Sequence, residues 1–446
     1  MSGGHTVPPG PRGLPWLGVT FPLLRDPLGL LERLGREYGD VSCLRYWRGS
    51  RILLNSPETV EQVLVVQHQK FTKGILLQLV ARRLLGRGLL TSEGELWRRQ
   101  RRLAQPAFHK ARIVGYAPVM VKLAGEHTAD WRGGEERDLA AEMMQIALRI
   151  AVLTLFGMEL KEEAVAVGEG LGAIMRRDLR RMRAPIKLPR KFPTPANRRA
   201  EQGYALLEGM VNRLIDEKRR NGSGLPGDDL LSRLMEAADE DGTRMSARQL
   251  RDETMTLLLA GHETTALTLA WTWYLLAQNP AAEARLHAEI DAVLRRRPPT
   301  ADDLDRLPYL QAVVNESLRL YPPAYTIGRT SSEPIDLNGY HFPRDTTFLM
   351  SAWVAHRDPR HFSDPLAFRP ERWLEAPAPH PFAYFPFGGG PRRCIGQPFA
   401  LMEAALVIAT VAARFRFRLA PGRGVVPEPL VTLRPKHGIR MRIEER

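Results

Sequence analysis

Cysteine is scarce in this chain: Cys43 and Cys394 are the only two among 446 residues. Two cysteines cannot build a disulfide framework, so the chain reads as one made for a reducing compartment. No run of about 18 apolar residues appears, which argues against a membrane span. The N-terminus lacks the charged start and apolar block of a signal peptide, and a cytoplasmic location is expected. Low-complexity tracts are missing too. So are nucleic-acid motifs and any interleaving of aromatic and basic residues, and the net charge of +14 therefore does not read as nucleic-acid binding. That charge leaves an anionic lipid surface or an acidic protein partner. With 44% hydrophobic residues the chain can bury a large core. Length alone would allow two or three domains.

What is present centres on residues 387–396, FGGGPRRCIG. Cys394 follows three glycines and two arginines, Arg392 and Arg393, and a helical pattern opens just after it around Pro398. A cysteine at a helix N-terminus among cations favours the thiolate, which is a nucleophile or a metal ligand. A catalytic cysteine needs a base, and nothing local supplies one. A zinc site needs several ligands, and no second cysteine is near. A haem iron needs one protein ligand, because the porphyrin supplies four. Glycines would let a flat ring approach the backbone, and an arginine two residues before the ligand could reach a propionate. A buried structural cysteine in a turn is the bland alternative. Cys43, in a strand-like stretch, takes that bland reading.

Phe387, Gly390, Arg392, Cys394 and Gly396 meet the pattern F-x-x-G-x-R-x-C-x-G. The stretch resembles the haem-binding loop of the cytochrome P450 family. Three further motifs follow the family's order. Trp97 and Arg101 resemble its W-x-x-x-R and share a helical face. Ala260 to Thr265, AGHETT, lies inside a long apolar helical pattern. Glu316 and Arg319 form E-x-x-R, with Arg372 following in FRPERW. The resemblance implies a mainly α fold with a small β region, a triangular helical prism around a buried haem. It implies a Pro-rich lead over 1–25 and one domain over 26–446. Within that domain, helices in 160–220 form a lid, a long central helix runs over 246–279, and 387–396 carries the ligand.

The resemblance also assigns roles. Cys394 ligates the iron of one haem b per chain. Lys73, Trp97, Arg101, Arg329 and Arg392 hold its propionates, while Ala260, Phe387 and Gly396 line the ring. Glu263 and Thr264 relay protons, and Gly261 opens space for dioxygen. Thr265 is structural, and His262 packs rather than binding metal. Thr326 and Ile327 contact substrate. Glu316, Arg319 and Arg372 form a structural network behind the cysteine loop. The implied reaction is monooxygenation of a lipophilic small molecule, terpenoid, fatty acid or carotenoid-like, by a soluble bacterial-type enzyme. No flavin or iron–sulfur region is read, so electrons come from an acidic ferredoxin or flavodoxin with its reductase, docking on Arg392, Arg393 and the Trp97 helix. A peroxide-driven or non-oxygenating branch and a non-enzymatic haem sensor or carrier stand as alternatives.

Other stretches are read from the residues alone. Ser246 and Gln249 make a capping-box start for the long helix, which runs to Asn279–Pro280. Gly261 and a buried Glu263 weaken such a helix unless they have a task or a partner. The basic run of Arg176, Arg177, Arg180, Arg181, Arg183, Lys187, Arg190 and Lys191 is expected to touch an anionic membrane surface. FTKG at 71–74 is read as a loop, and 415–442 as a hairpin region.

Overall fold

The computed structural model describes residues 7–446 except 48, 75–81, 160–163, 184–191, 222–228, 237–241, 243, 376–378 and 423. Helices dominate, with small sheets, as expected. The chain separates into two compact units built from non-contiguous segments.

The first unit comprises Met1–Val80, Leu318–Ala367 and Ala376–Cys394. It is built on a five-stranded sheet. Val41–Tyr46 and Gly49–Leu54 pair antiparallel, and Gly49–Leu54 then lies parallel to Thr347–Met350. Ile327–Ser331 follows, and Phe71–Lys73 forms the edge. The FTKG stretch is therefore a strand and not a loop. Its partner lies far along the chain, where local signals do not reach. One apolar face of this sheet packs Cys43, Ile52, Leu54, Phe71, Phe348 and Met350 with Val60, Leu64 and Phe385. Cys43 is buried there as a small hydrophobe.

The second unit comprises Ala81–Ser317, Phe368–Glu375 and Ile395–Arg446. Its axis is the helix Ala247–Gln278, 32 residues or about 48 Å at 1.5 Å per residue. The Ser246 and Gln249 capping box closes its N-terminus as expected. It packs most extensively on Leu139–Phe156. That partner is the one described helix long and apolar enough to cross a membrane, yet 61% of it is buried inside the fold. Two basic helices, Ala164–Arg183 and Pro195–Asn221, pack on each other. The proline break expected at Pro185 and Pro189, with Lys187, Arg190 and Lys191, falls outside the described residues. Glu136–Asp138, Arg440–Glu445 and Phe415–Leu419 form a three-stranded sheet. A short hairpin, Pro427–Pro429 with Leu433–Pro435, completes the unit.

Candidate active site

In the first unit the cysteine loop is fixed by its own backbone and by the residues behind it. Cys394 N–H donates to Phe387 O at 3.0 Å, and Gly388 N–H donates to Phe385 O at 2.9 Å. Gly388 and Gly390 have φ of +71° and +65°, where a side chain is strained. A Cβ at Gly390 would lie 1.9 Å from Leu64 O, and one at Gly389 2.3 Å from Phe382 Cε1. The close approaches these glycines permit within the unit are thus to protein, and they lock the loop in place. Cys394 itself is exposed, and Phe387 and Arg392 are half-buried.

A buried relay supports the loop. Arg319, fully buried, donates to the carbonyls of His356, Pro365 and Ala367 at 2.7, 2.6 and 3.0 Å. His356 Nε2 accepts from Phe385 N–H at 2.9 Å, so Nδ1 carries the proton and donates to Arg319 O at 3.2 Å. Burial, then the Arg319 charge, pushes this imidazole down to about 3, and it stays neutral near pH 7. Arg319 therefore reaches the loop through His356, a residue no sequence signal marked.

At the edge of the sheet, Lys73 and Arg329 stand directly opposite each other. Like charges facing across an antiparallel pair repel, and an anion between them turns that repulsion into binding. Lys73 is buried and Arg329 half-buried. Ile327 begins the same strand, and a Cβ at Gly388 would lie 3.4 Å from its Cδ1. Thr326 precedes it, half-buried.

In the second unit the long helix is buried from Asp252 to Trp273 except at Ala260, Gly261 and Thr264. These three lie on one face, one turn long, and leave a small apolar strip uncovered. Thr264 Oγ1 donates to Ala260 O at 2.8 Å, and Thr265 Oγ1 to Gly261 O at 3.3 Å. Glu263 points elsewhere. Its Oε1 accepts from Arg434 Nε at 2.7 Å and from the Thr432 hydroxyl, both on the C-terminal hairpin. Burial opposes its ionisation, but the Arg434 charge and these hydrogen bonds outweigh burial and hold the carboxyl below the usual range. His262 donates from Nδ1 to Leu258 O at 2.7 Å, and burial lowers its pKa. On the helix Gln397–Ala412, Glu403 faces Thr265. No cation acts on it among the described residues, and burial raises its pKa well above the carboxylate range.

Glu316 and Arg372 meet at 3.0 Å, both in the second unit. The Arg369 N–H and Trp373 Nε1 each add a bond of 2.9 Å to the same carboxylate. Trp97 and Arg101 lie four apart on the helix Gly94–Ala104, both half-buried, with Arg101 Nε donating to Gln105 at 3.2 Å. Gly396 caps the helix that starts at Gln397. Arg434, Thr432, His356 and Glu403 were missed from the sequence. Only Arg434 carried a signal, a charge directly after the run Leu430 to Leu433.

These residues suit a haem. The exposed Cys394 on an immobilised loop offers one soft ligand, as a haem iron requires. The Lys73–Arg329 pair offers cations to carboxylates. The uncovered Ala260–Gly261–Thr264 strip offers a flat, small-residue surface.

Comparison with known proteins agrees in extent. The family model described as "Cytochrome P450" matches residues 8–441. The chain is 41% identical to "Cyclooctatin synthase" of Streptomyces melanosporofaciens, covering 96% of this chain and 93% of that one. It is 39% identical to "Cyclooctat-9-en-7-ol 5-monooxygenase" of the same organism, covering 94% and 91%. It is 35% identical to "Pentalenene oxygenase" of Streptomyces avermitilis, covering 99% and 98%.

Proposed function

Because the chain belongs to the cytochrome P450 family, we propose that it inserts oxygen into a lipophilic terpenoid, using electrons from an acidic ferredoxin and its reductase. As a family member it is a haem-thiolate monooxygenase. When bound, the haem supplies dioxygen activation, delivering one oxygen atom to substrate and the other to water.

The chain's own residues supply the rest. Cys394 is the thiolate ligand, and the buried relay through Arg319 and His356 keeps its loop rigid. Lys73 and Arg329, with Trp97, Arg101 and Arg392, hold the propionates. Ala260, Phe387 and Gly396 line the ring. Thr264 positions a proton donor at its hydroxyl, and Glu263 takes protons from solvent and hands them on. Thr326 and Ile327 contact substrate. Residues 26–446 act as one domain in the cytoplasm.

The observation that carries the substrate class is the full-length match to relatives that oxidise terpenoids. Titration of the purified holoenzyme with polycyclic terpene alcohols, fatty acids and carotenoids tests it. The terpenoids are expected to shift the Soret band as they displace the sixth ligand. A shift with fatty acids alone would overturn the assignment. Salt supports or removes the electron partner: reduction by an acidic ferredoxin is expected to slow as ionic strength rises.

A further inference from the structure

Between Leu85 and the helix Gly94–Ala104, residues 86–93 form neither helix nor strand, yet Gly88, Leu89, Thr91 and Ser92 are buried. A buried loop carries backbone donors and acceptors that need partners. Three consecutive residues of the long helix supply them. Arg251 Nη1 donates to Leu84 O at 2.9 Å. Asp252 Oδ2 accepts from the Arg87 N–H at 2.8 Å, and Glu253 Oε2 accepts from the Leu89 N–H at 2.9 Å. Both acids are buried. Asp252 Oδ1 also accepts from Arg251 Nη1 at 3.1 Å, so a cation lies beside that carboxylate.

A buried side chain ties the loop to the helix that follows. Gln100, fully buried, donates from Nε2 to Arg87 O at 2.9 Å. The backbone of Arg87 is thus held by Asp252 at its N–H and by Gln100 at its carbonyl. Gln100 lies three residues after Trp97 and precedes Arg101 on the same helix. All of these residues belong to the second unit. The long helix also carries the uncovered strip. Asp252 and Ala260 are eight residues apart, about 12 Å along the axis at 1.5 Å per residue. One rigid element therefore bears the surface that suits the ring and anchors the helix whose Trp97 and Arg101 suit its propionates.

We propose that Asp252 and Glu253 are positioning residues for haem binding: by clamping the loop 86–91 to the long helix, they fix where Trp97 and Arg101 stand against the propionates. They act as hydrogen-bond acceptors for the loop, not through the field of their charges. The inference rests on the reading of Trp97 and Arg101 as propionate ligands, and the two fail in different ways.

Two quantities are measured on the purified holoprotein: the rate of haem transfer to excess apomyoglobin, and the haem reduction potential. Arg101→Ala sets the scale. It is expected to speed haem loss about tenfold, the factor that one charge-assisted hydrogen bond supplies, and to lower the potential, because a cation at the propionates favours the reduced haem. Asp252→Ala and Glu253→Ala are expected to speed haem loss in the same way. Combined with Arg101→Ala, either should add little, because the contact it positions is already gone. The potential adds a sign. Loss of a carboxylate raises the potential by its field alone, whereas a displaced Arg101 lowers it, and a fall is expected in Asp252→Ala. Asp252→Asn loses the charge but keeps an oxygen for the Arg87 N–H, and it should retain haem like the unaltered protein. Gln100→Leu cuts the same path without touching an acid. It should reproduce Asp252→Ala, and it carries the comparison should that variant fail to fold. Unchanged haem loss in Asp252→Ala and Gln100→Leu overturns the inference. So does full multiplication of the effects in the double variant with Arg101→Ala. If Arg101→Ala and Trp97→Phe are themselves silent, the propionate reading falls and the inference falls with it.

Discussion

Two buried carboxyls, Glu263 on the long helix and Glu403 on the helix Gln397–Ala412 facing Thr265, are held in opposite charge states. Glu263 is 4% exposed and Glu403 is fully buried, so solvent distinguishes them little. The difference is the cation. Arg434 sits 2.7 Å from Glu263, whereas among the described residues neither oxygen of Glu403 has a hydrogen-bond partner and no cation acts on it. One acid is therefore ionised and the other neutral, from almost the same burial. Pairs of groups pushed apart in this way are where proton chemistry is assigned. Here the ionised member is placed one residue from Thr264, and the neutral member is a polar piece of the core.

The largest effect is expected where a buried ion pair is broken. Arg372→Ala removes the guanidinium 3.0 Å from the fully buried Glu316, whose carboxylate also accepts from the Arg369 N–H and the Trp373 indole. Destabilisation of about 3–5 kcal/mol is expected by urea unfolding, and a change under about 1 kcal/mol would show that Glu316 is not held as a charge. The two helix-flanking acids come next. Glu263→Gln leaves Arg434 buried and unpaired, with an expected loss of about 3 kcal/mol. Glu403→Gln replaces one neutral group by another and should stay within about 1 kcal/mol. Equal costs for the two would erase the distinction.

Acid and base responses should separate them further. The Glu263 pKa is lower in the fold than in the unfolded chain, so its contribution is present above the usual carboxylate pKa and is lost as pH falls through its folded value. The Glu403 pKa is higher in the fold. Stability therefore falls as pH rises from the usual carboxylate pKa toward the folded value, where the acid is forced to ionise. Unfolding free energies measured across pH should show a shallower acid-side decline in Glu263→Gln and a shallower decline above the usual carboxylate pKa in Glu403→Gln. The smallest stability effect belongs to Thr264→Ala, under about 1 kcal/mol, since the hydroxyl bonds only its own helix carbonyl in the described structure. Its expected signature is diversion of electrons to hydrogen peroxide, and full coupling in that variant would remove Thr264 from the relay.

Much of this architecture was legible in the sequence because its signals are local. The capping box at Ser246 and the break at Asn279–Pro280 bounded the long helix, and the motif at 387–396 marked the loop. The partnerships were not legible, because they join distant positions. Glu263 was flagged as needing a partner, but Arg434 lies 171 residues away. Phe71–Lys73 was read as a loop because its strand partner bonds across 258 residues, Thr72 to Thr330. The glycines before Cys394 were read as room for a ring. In the first unit they make room for Phe382 and the Leu64 carbonyl, which no spacing rule reveals.

The assignment of Cys394 as the thiolate ligand is tested most directly by the absorption spectrum of the purified protein, reduced with dithionite, with and without carbon monoxide. A Soret band strongly red-shifted by carbon monoxide in the unaltered protein, and absent in Cys394→Ala, is the predicted result. A carbon monoxide band at the position typical of histidine-ligated haem, in freshly prepared native protein, would contradict it.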